Sequence, residues 1–198
     1  KNLSSEIQLR TPAGEASATL SIPGLHNVRN ALAACACAHA VGITPAVMRE
    51  GLNNFRPYTG RLQVKRAGNG ATVIDDTYNA NPDSVRAAID VLAKCAPPTV
   101  LVLGDMGEVG AHSAEFHREV GAYAKSCNVS SLCAFGDQAG EAVAAFGAPA
   151  SHAQSIEQLL ERVQACATPQ ATLLVKGSRF MRMERVVNAL TGETGGVH

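Results

Sequence analysis

Strand-like and helix-like runs alternate through this chain from Arg61 onward, and this alternation limits the folds that it can adopt. The predicted strands are residues 62–66, 72–77, 99–103, 131–135, a short segment near Ser151, and 171–175; the predicted helices are 82–95, 113–127, 138–146, 155–166 and 180–191. Strands joined in this way form βαβ units, whose crossovers are right-handed. The sequence therefore predicts an α/β, Rossmann-like fold, with a mostly parallel, doubly wound sheet and helices on both faces.

The stretch before Arg61 has a different pattern. Residues 6–22 alternate as two short strands around a turn at Pro12, and helices are predicted over 27–41 and 45–54. Thr44 and Pro45 fit the cap and first position of the second helix. A hairpin and two helices enclose little core. We therefore expect a partial α+β segment that belongs to a larger domain.

A domain boundary is predicted where these two patterns meet. The segment Asn54–Gly60 contains Pro57 and is the predicted hinge. We expect residues 1–57 to be the incomplete end of one domain and residues 58–198 to form a complete second domain.

Composition excludes several classes of partner. The chain has 198 residues, 46% of them hydrophobic, and a formal net charge of zero, and it shows no basic stripe. This argues against nucleic acid or membrane surfaces as partners and favours a small-molecule site. We expect a monomer, although the composition does not determine the oligomeric state. The first residues lack an apolar signal segment and no run is long enough to span a bilayer, so we expect a cytoplasmic protein with no membrane insertion. The six cysteines show no metal-binding spacing and are interpreted as reduced core residues.

Between Ile74 and Ser84 an apolar strand runs directly into a group of polar side chains. The sequence there reads Ile-Asp-Asp-Thr-Tyr-Asn-Ala-Asn-Pro-Asp-Ser. In α/β sheets, ligands bind beyond the carboxyl ends of the strands. Asn81 and Pro82 fit the cap and first position of the following helix. The segment predicts a ligand-binding strand end, and the alternative is a capped turn with solvated acids.

The same undecapeptide resembles the signature of the Mur ligase family. Three further segments resemble the family's motifs in order and spacing: Gly24–Ala34, Leu103–Gly110 and Val175–Arg179. The first resembles the last motif of the ATP-binding central domain, and the others resemble loops of the C-terminal domain. The likeness is in particular to members that join D-alanyl-D-alanine to UDP-N-acetylmuramoyl-tripeptide.

The resemblance implies an ATP-dependent amide ligase of peptidoglycan precursor synthesis. In such an enzyme ATP phosphorylates the tripeptide carboxylate, and the dipeptide amine attacks the acyl phosphate. ATP and Mg²⁺ are the implied cofactors, but the chain has neither a Gly-x-x-x-x-Gly-Lys-Ser/Thr loop nor a Gly-x-Gly-x-x-Gly motif. Its histidines have no metal-ligand spacing, so no metal ligand is predicted within it. We therefore expect the chain to bind part of the nucleotide and to be inactive alone.

Four residues are predicted to bind the nucleotide by this resemblance. Asn27 and Asn30, three positions apart on one helix face, would contact adenine, with helix capping by Asn27 as the alternative. Arg61 would reach the phosphates and is one predicted catalytic residue; a solvated arginine is the alternative. Asp76 would accept hydrogen bonds from the ribose. Asp75 is the less favoured partner, because neighbouring strand side chains point to opposite faces.

The turn from Lys176 to Arg179 is predicted to bind an anion. At a strand-to-helix turn, backbone N–H groups, the helix dipole and a cationic side chain converge. By resemblance the anion is the carboxylate of D-alanyl-D-alanine, with Ser178 as donor and either Lys176, the second predicted catalytic residue, or Arg179 as charge partner. Ordinary exposure at a helix start is the alternative. The residues predicted to line the same pocket are Tyr78, Asn79 and Asn81.

Two other classes of function remain as alternatives. One is another ligase of the superfamily, which adds diaminopimelate or is of the folylpolyglutamate type. Diaminopimelate-adding members carry an Asp-Asn-Pro-Arg loop, whereas the corresponding loop here reads Gly136-Asp137-Gln138. The other is a non-catalytic, carboxylate-binding Rossmann-like module. Asp105 and Glu108, in a third strand-end loop, are given structural or peripheral roles.

Overall fold

The computed structural model describes residues 3–193, which form two compact units that divide between Tyr58 and Thr59. The predicted boundary between residues 57 and 58 lies one position away. The assignment of the first unit to a larger ATP-binding domain stays a prediction.

The first unit is a hairpin with two helices. Strands β1 (Ser5–Thr11) and β2 (Gly14–Leu20) pair antiparallel, and helices α1 (Leu25–Ala40) and α2 (Pro45–Asn54) follow. The backbone N–H of Thr19 donates to the Asn53 side chain at 2.8 Å, which ties α2 to the hairpin. Much of the larger apolar surface of this unit is exposed; the large exposed side chains are Leu25, Leu32, Val41, Ile43, Val47, Phe55 and Tyr58.

The second unit is a six-stranded sheet with helices on both faces. Its elements in chain order are β3 (Gln63–Arg66), β4 (Thr72–Asp76), α3 (Pro82–Leu92), β5 (Thr99–Gly104), α4 (Ser113–Ser126), β6 (Ser131–Phe135), α5 (Ala139–Phe146), β7 (Ala150–Ala153), α6 (Ile156–Cys166), β8 (Thr172–Lys176) and α7 (Glu184–Thr191). The strand order is β3-β4-β8-β5-β6-β7, with β3 antiparallel and the other pairs parallel. The predicted α/β, Rossmann-like class is confirmed.

Strand order and crossover handedness explain where the helices lie. The chain steps in one direction from β4 through β5 and β6 to β7, and α6 then returns it to β8. Right-handed crossovers place α3, α4 and α5 on one face, and the reversed step places α6 on the other. Alternate strand residues pack with α6 and α7 in one core; they include Val73, Val100, Val102, Leu173 and Val175.

The reversal of direction places a topological switch point at β8. This strand lies between β4 and β5, whose following helices are on the opposite face from α7. Ligands in α/β sheets bind at such switch points, outside the carboxyl ends of the strands. The carboxyl ends here are Asp76, Gly104 and Lys176. The fold therefore brings together three loops that are far apart in sequence.

The predicted helix over 180–191 is wrong in its first part. The structure has a 3₁₀ turn at Arg179–Met181, and α7 begins only at Glu184. Arg182 separates them with a left-handed backbone at φ 51°. Met183, the residue that follows, is completely buried.

All six cysteines are free of disulfides. Cys35 and Cys133 are buried, but Cys37 is exposed and the others are half-buried, so the predicted core placement is right for two of the six. No helix among residues 3–193 is long and apolar enough to cross a membrane.

Candidate functional site

Lys176 joins the ends of two neighbouring strands. It pairs in register with Asp76, and its Nζ donates to Asp76 Oδ2 at 2.6 Å and to the Asn79 carbonyl at 2.8 Å. The side chains of Lys176 and Asp76 are only 4% and 13% exposed. A buried ammonium is stable only when it is paired. Lys176 is therefore committed to the protein itself and does not offer a free charge.

The second oxygen of Asp76 fixes the turn that precedes β3. Asp76 Oδ1 accepts the backbone N–H of Leu62 at 3.1 Å, and the Tyr78 N–H donates to the Gly60 carbonyl at 3.0 Å. Gly60 has φ 71°, and a Cβ there would lie 2.9 Å from the Tyr78 nitrogen. A side chain at this position therefore meets both backbone strain and a steric clash. The turn at residues 60–62 is held against the end of β4.

Arg61 stands on this turn with its guanidinium over an aromatic ring. The guanidinium carbon lies 4.3 Å from the centroid of the Tyr78 ring, well within cation–π range. Arg61 is exposed and Tyr78 is 43% exposed, so the pair lies at the surface beside the strand-end loop.

Ser178 connects three strand-end loops. Its N–H donates to the Asp105 carbonyl at 2.9 Å and its Oγ donates to the Ala80 carbonyl at 3.1 Å. The same Oγ accepts the Gly107 N–H at 2.6 Å. A hydroxyl has one proton, and Ser178 donates it to the Ala80 carbonyl. The expectation that Ser178 donates to a ligand therefore does not fit this structure, which gives Ser178 a role in holding the loops.

Asp105 has the structural role that was one of its two predicted roles. Its carboxylate caps α5, accepting the N–H of Ala139 at 2.8 Å and of Gln138 at 3.1 Å. Gly136 lies against it at φ 127°, and a Cβ there would come within 2.4 Å of the carboxylate. The loop after β5 is thereby tied to the loop after β6.

His117 supports the same loop and was not singled out for this role by its sequence. Its Nε2 accepts the Met106 N–H at 3.0 Å, while Nδ1 lies 2.7 Å from the Ser113 carbonyl. Both ring nitrogens therefore have partners within the protein, which fixes the orientation of the imidazole. No sequence pattern marks this role, because a buried histidine is recognised only from its partners.

Arg179, in the loop that follows β8, has a charged side chain that faces solvent. Its side chain is 63% exposed, and its Nη1 lies 3.4 Å from Glu184 Oε1. The predicted helix dipole at this turn is absent, because residues 179–181 form a single 3₁₀ turn. Of the two cations proposed for the anion, Lys176 is buried in a pair and Arg179 is accessible.

The side chains of the two asparagines after β4 make hydrogen bonds within their own loop and at the start of α3. Asn81 caps α3 as predicted, with Oδ1 accepting the Ser84 N–H at 2.8 Å and the Ser84 hydroxyl accepting the Asn81 N–H at 3.1 Å. Asn79 Oδ1 accepts the Ala80 N–H at 2.9 Å. Both lie at the exposed rim of the loop.

Asp75 points away from this site, as strand alternation predicts. Its Oδ1 accepts the Thr77 hydroxyl at 2.7 Å and its Oδ2 lies 3.2 Å from Lys65 Nζ, which also contacts Glu193 at 2.7 Å. Burial acts to lower the pKa of Lys65, but the Glu193 and Asp75 carboxylates together hold it above its ordinary value of 10.5.

The predicted adenine contacts lie in the first unit. Asn27 Nδ2 donates to the Pro23 carbonyl at 2.8 Å, and Asn30 is exposed on the same helix. The alternative that Asn27 caps the helix is wrong, since α1 begins at Leu25 with Gly24 as its cap. Within residues 3–193, no cluster of three His, Cys, Asp or Glu side chains is arranged to hold a metal ion.

Comparison with known proteins supports one family. A family model described as the glutamate ligase domain of Mur ligases matches residues 60–179, which include the whole strand-end site. The chain belongs to the Mur ligase family. It is 38% identical over 187 residues to the UDP-N-acetylmuramoyl-tripeptide–D-alanyl-D-alanine ligase of Escherichia coli K12, which covers 93% of this chain and 41% of that protein. The corresponding ligase of Haemophilus influenzae is 39% identical, with 94% and 42% covered.

Solved structures of Mur ligases share the fold. A crystal structure of MurF from Acinetobacter baumannii superposes with a TM-score of 0.87 at 34% identity, covering 97% of this chain and 43% of that one. MurF from Thermotoga maritima in complex with ADP gives 0.83 at 23% identity, covering 96% and 44%, and shows the fold alone. The chain spans about two fifths of the length of these relatives.

Proposed function

We propose that the protein containing this chain is an ATP-dependent ligase of peptidoglycan precursor synthesis. It joins D-alanyl-D-alanine to UDP-N-acetylmuramoyl-tripeptide through an acyl phosphate, and this chain supplies the acceptor site and part of the nucleotide site. The observation that carries the proposal is the strand-end site, where the loops that hold the buried Lys176–Asp76 pair also carry two exposed arginines, Arg61 and Arg179.

The nucleotide contacts follow from what remains accessible at this site. Asp76 is 13% exposed and each of its oxygens has a second lone pair free to accept from a ribose hydroxyl. Arg61 is exposed on the neighbouring turn, and its planar donors suit phosphate oxygens. Asn27 and Asn30 remain the proposed adenine contacts. The phosphate loop and the Mg²⁺ ligands would come from parts of the protein outside this chain.

The acceptor contacts centre on Arg179. A dipeptide carboxylate needs an accessible cation, and Arg179, 63% exposed in the loop after β8, provides one. Tyr78, Asn79 and Asn81 form the rim of the neighbouring loop. Lys176 and Ser178 act indirectly, because their hydrogen bonds fix the loops that carry these groups.

This chemistry requires placement more than reactive side chains. The attacking amine and the acyl phosphate belong to the substrates, so the protein needs no nucleophile of its own. Holding the two reactants in contact and compensating phosphate charge are the main sources of rate enhancement. A preformed network at the strand ends suits that task.

The experiment is a comparison of acceptors with the full-length protein. Purified enzyme is given ATP, Mg²⁺ and UDP-N-acetylmuramoyl-tripeptide, with D-alanyl-D-alanine, diaminopimelate or glutamate as the acceptor, and ADP release is followed. We expect ADP release with D-alanyl-D-alanine and none with diaminopimelate or glutamate. Turnover with either amino acid in place of the dipeptide would refute the assignment.

A further inference from the structure

The exposed guanidinium of Arg61 lies over the Tyr78 ring. The side chain has no acidic partner among the ion pairs of residues 3–193. Its charge is instead satisfied by the ring face at 4.3 Å. An arginine kept clear of carboxylates retains its full charge for an anion.

The backbone brings the two side chains together before any ligand binds. Two hydrogen bonds hold the turn of Arg61 to the loop of Tyr78, one from the Tyr78 N–H to the Gly60 carbonyl and one from the Leu62 N–H to Asp76. Leu62 takes a left-handed φ of 48° to make its bond. Such a conformation is uncommon for a branched residue and needs support from its surroundings.

The position of the guanidinium carbon over the ring is compatible with a stacked contact that leaves the edge of the group open. A guanidinium contacts an aromatic ring through its flat face, while its five N–H groups lie in the plane of the group and point outward. An arginine stacked in this way can bind phosphate oxygens through its edge without leaving the ring. An unsupported arginine would lose more side-chain freedom on binding.

We propose that Tyr78 is the positioning residue of Arg61: its ring presents the guanidinium edge to the phosphates of the nucleotide. This inference rests on the proposed nucleotide role of Arg61. It also changes the role expected for Tyr78, because the ring face occupied by Arg61 is closed to the acceptor dipeptide. Tyr78 then acts on the nucleotide side of the reaction.

The test uses steady-state kinetics of the full-length enzyme with Tyr78→Phe and Tyr78→Leu. Phenylalanine keeps a ring face, so we expect a KM for ATP close to that of the parent. Leucine removes it, and we expect the KM for ATP to rise about two- to five-fold, because the unsupported Arg61 then loses part of its side-chain freedom on binding. The KM for D-alanyl-D-alanine should stay unchanged. Phe180→Leu, which removes a 64% exposed aromatic ring from the neighbouring loop, is the matched control and should leave the KM for ATP unchanged.

A double-mutant cycle with Arg61→Met separates the possible failures. If Tyr78 acts through Arg61, adding Tyr78→Leu to Arg61→Met has no further effect on the KM for ATP. Additive effects, or a rise in the dipeptide KM with Tyr78→Leu, would overturn the inference and leave the proposed function standing. An Arg61→Met enzyme with unchanged ATP kinetics would instead refute the nucleotide role of Arg61.

A spectroscopic measurement covers the case in which Tyr78→Leu folds poorly. In the parent protein the ring current of Tyr78 should shift the Arg61 δ protons upfield, and Tyr78→Phe should keep that shift. Arg61 δ protons at random-coil positions in the well-folded parent would contradict the stacked arrangement.

Discussion

Replacing Lys176 with methionine removes the cation that joins β4 to β8 at the candidate site. Its Nζ makes two hydrogen bonds, at 2.6 Å to Asp76 and at 2.8 Å to the Asn79 carbonyl. Bonds of this charged kind contribute about 1.5 to 3 kcal/mol each, and removal of one partner of a buried ion pair costs about 3 to 5 kcal/mol. Asp76 keeps its bond from Leu62 and some contact with solvent, which places the cost near the lower limit. We expect a loss of about 3 kcal/mol in the free energy of unfolding.

Urea unfolding of the chain, followed by far-ultraviolet circular dichroism, measures this loss. Because the chain has two compact units, amide hydrogen exchange in β4 and β8 is needed to assign the transition to the second unit. With a urea m-value of about 2 kcal/mol per molar, the midpoint should fall by about 1.5 M.

Two variants control for other effects of the substitution. Lys125→Met removes a lysine that also donates to a carbonyl, at 2.8 Å, but because this contact is exposed to solvent its loss should cost less than about 1 kcal/mol. Lys176→Met combined with Asp76→Asn should recover at least half of the loss, because the amide removes the unpaired charge and keeps an acceptor for the Leu62 N–H. If Lys176→Met alone stays within about 1 kcal/mol of the parent, the pair is not structural and Lys176 is free to bind substrate.

Four more outcomes follow from the same structure. Arg179→Gln should raise the KM for D-alanyl-D-alanine about tenfold or more, the effect of one charge-assisted hydrogen bond, whereas Arg118→Gln, which changes another exposed arginine paired with a glutamate, should not. Ser178→Ala should lower the free energy of unfolding by about 2 kcal/mol in the urea assay, because it leaves an N–H and a carbonyl of two neighbouring loops unpaired. Burial raises the pKa of the Cys133 thiol from 9.0 to about 11, so its contribution to stability is complete below pH 9.0 and is lost as pH rises through about 11. At neutral pH a thiol reagent should modify the exposed Cys37 well before Cys133.

Local chemistry made much of the second unit predictable from its sequence. The alternation of strand and helix patterns placed all six strands, and Asn81 with Pro82 predicted the start of α3 because their capping depends only on adjacent residues. The start of α7 was not predictable in this way. Arg179–Met181 contains residues that favour helix, but burial of Met183 against Gly177 overrides that preference.

The roles within the site depend on contacts that sequence alone does not contain. Lys176 and Asp76 are 100 positions apart and meet only because β8 inserts beside β4. The sequence predicts an anion site at residues 176–179. It does not show that Lys176 is paired within the fold while Arg179 stays accessible, because that depends on the strand order. The stacking of Arg61 on Tyr78 likewise depends on how the turn before β3 packs against β4.

The most direct test of the account locates the dipeptide on the protein. Amide and side-chain resonances of the labelled full-length enzyme, shown beforehand to ligate, are followed during titration with D-alanyl-D-alanine in the presence of ADP. We expect shifts concentrated at Asn79, Asn81 and Arg179, and much smaller shifts when L-alanyl-L-alanine is titrated in place of the D,D-dipeptide. Ligation by an enzyme whose dipeptide-induced shifts lie entirely outside the loops at 78–81 and 176–179 would contradict it.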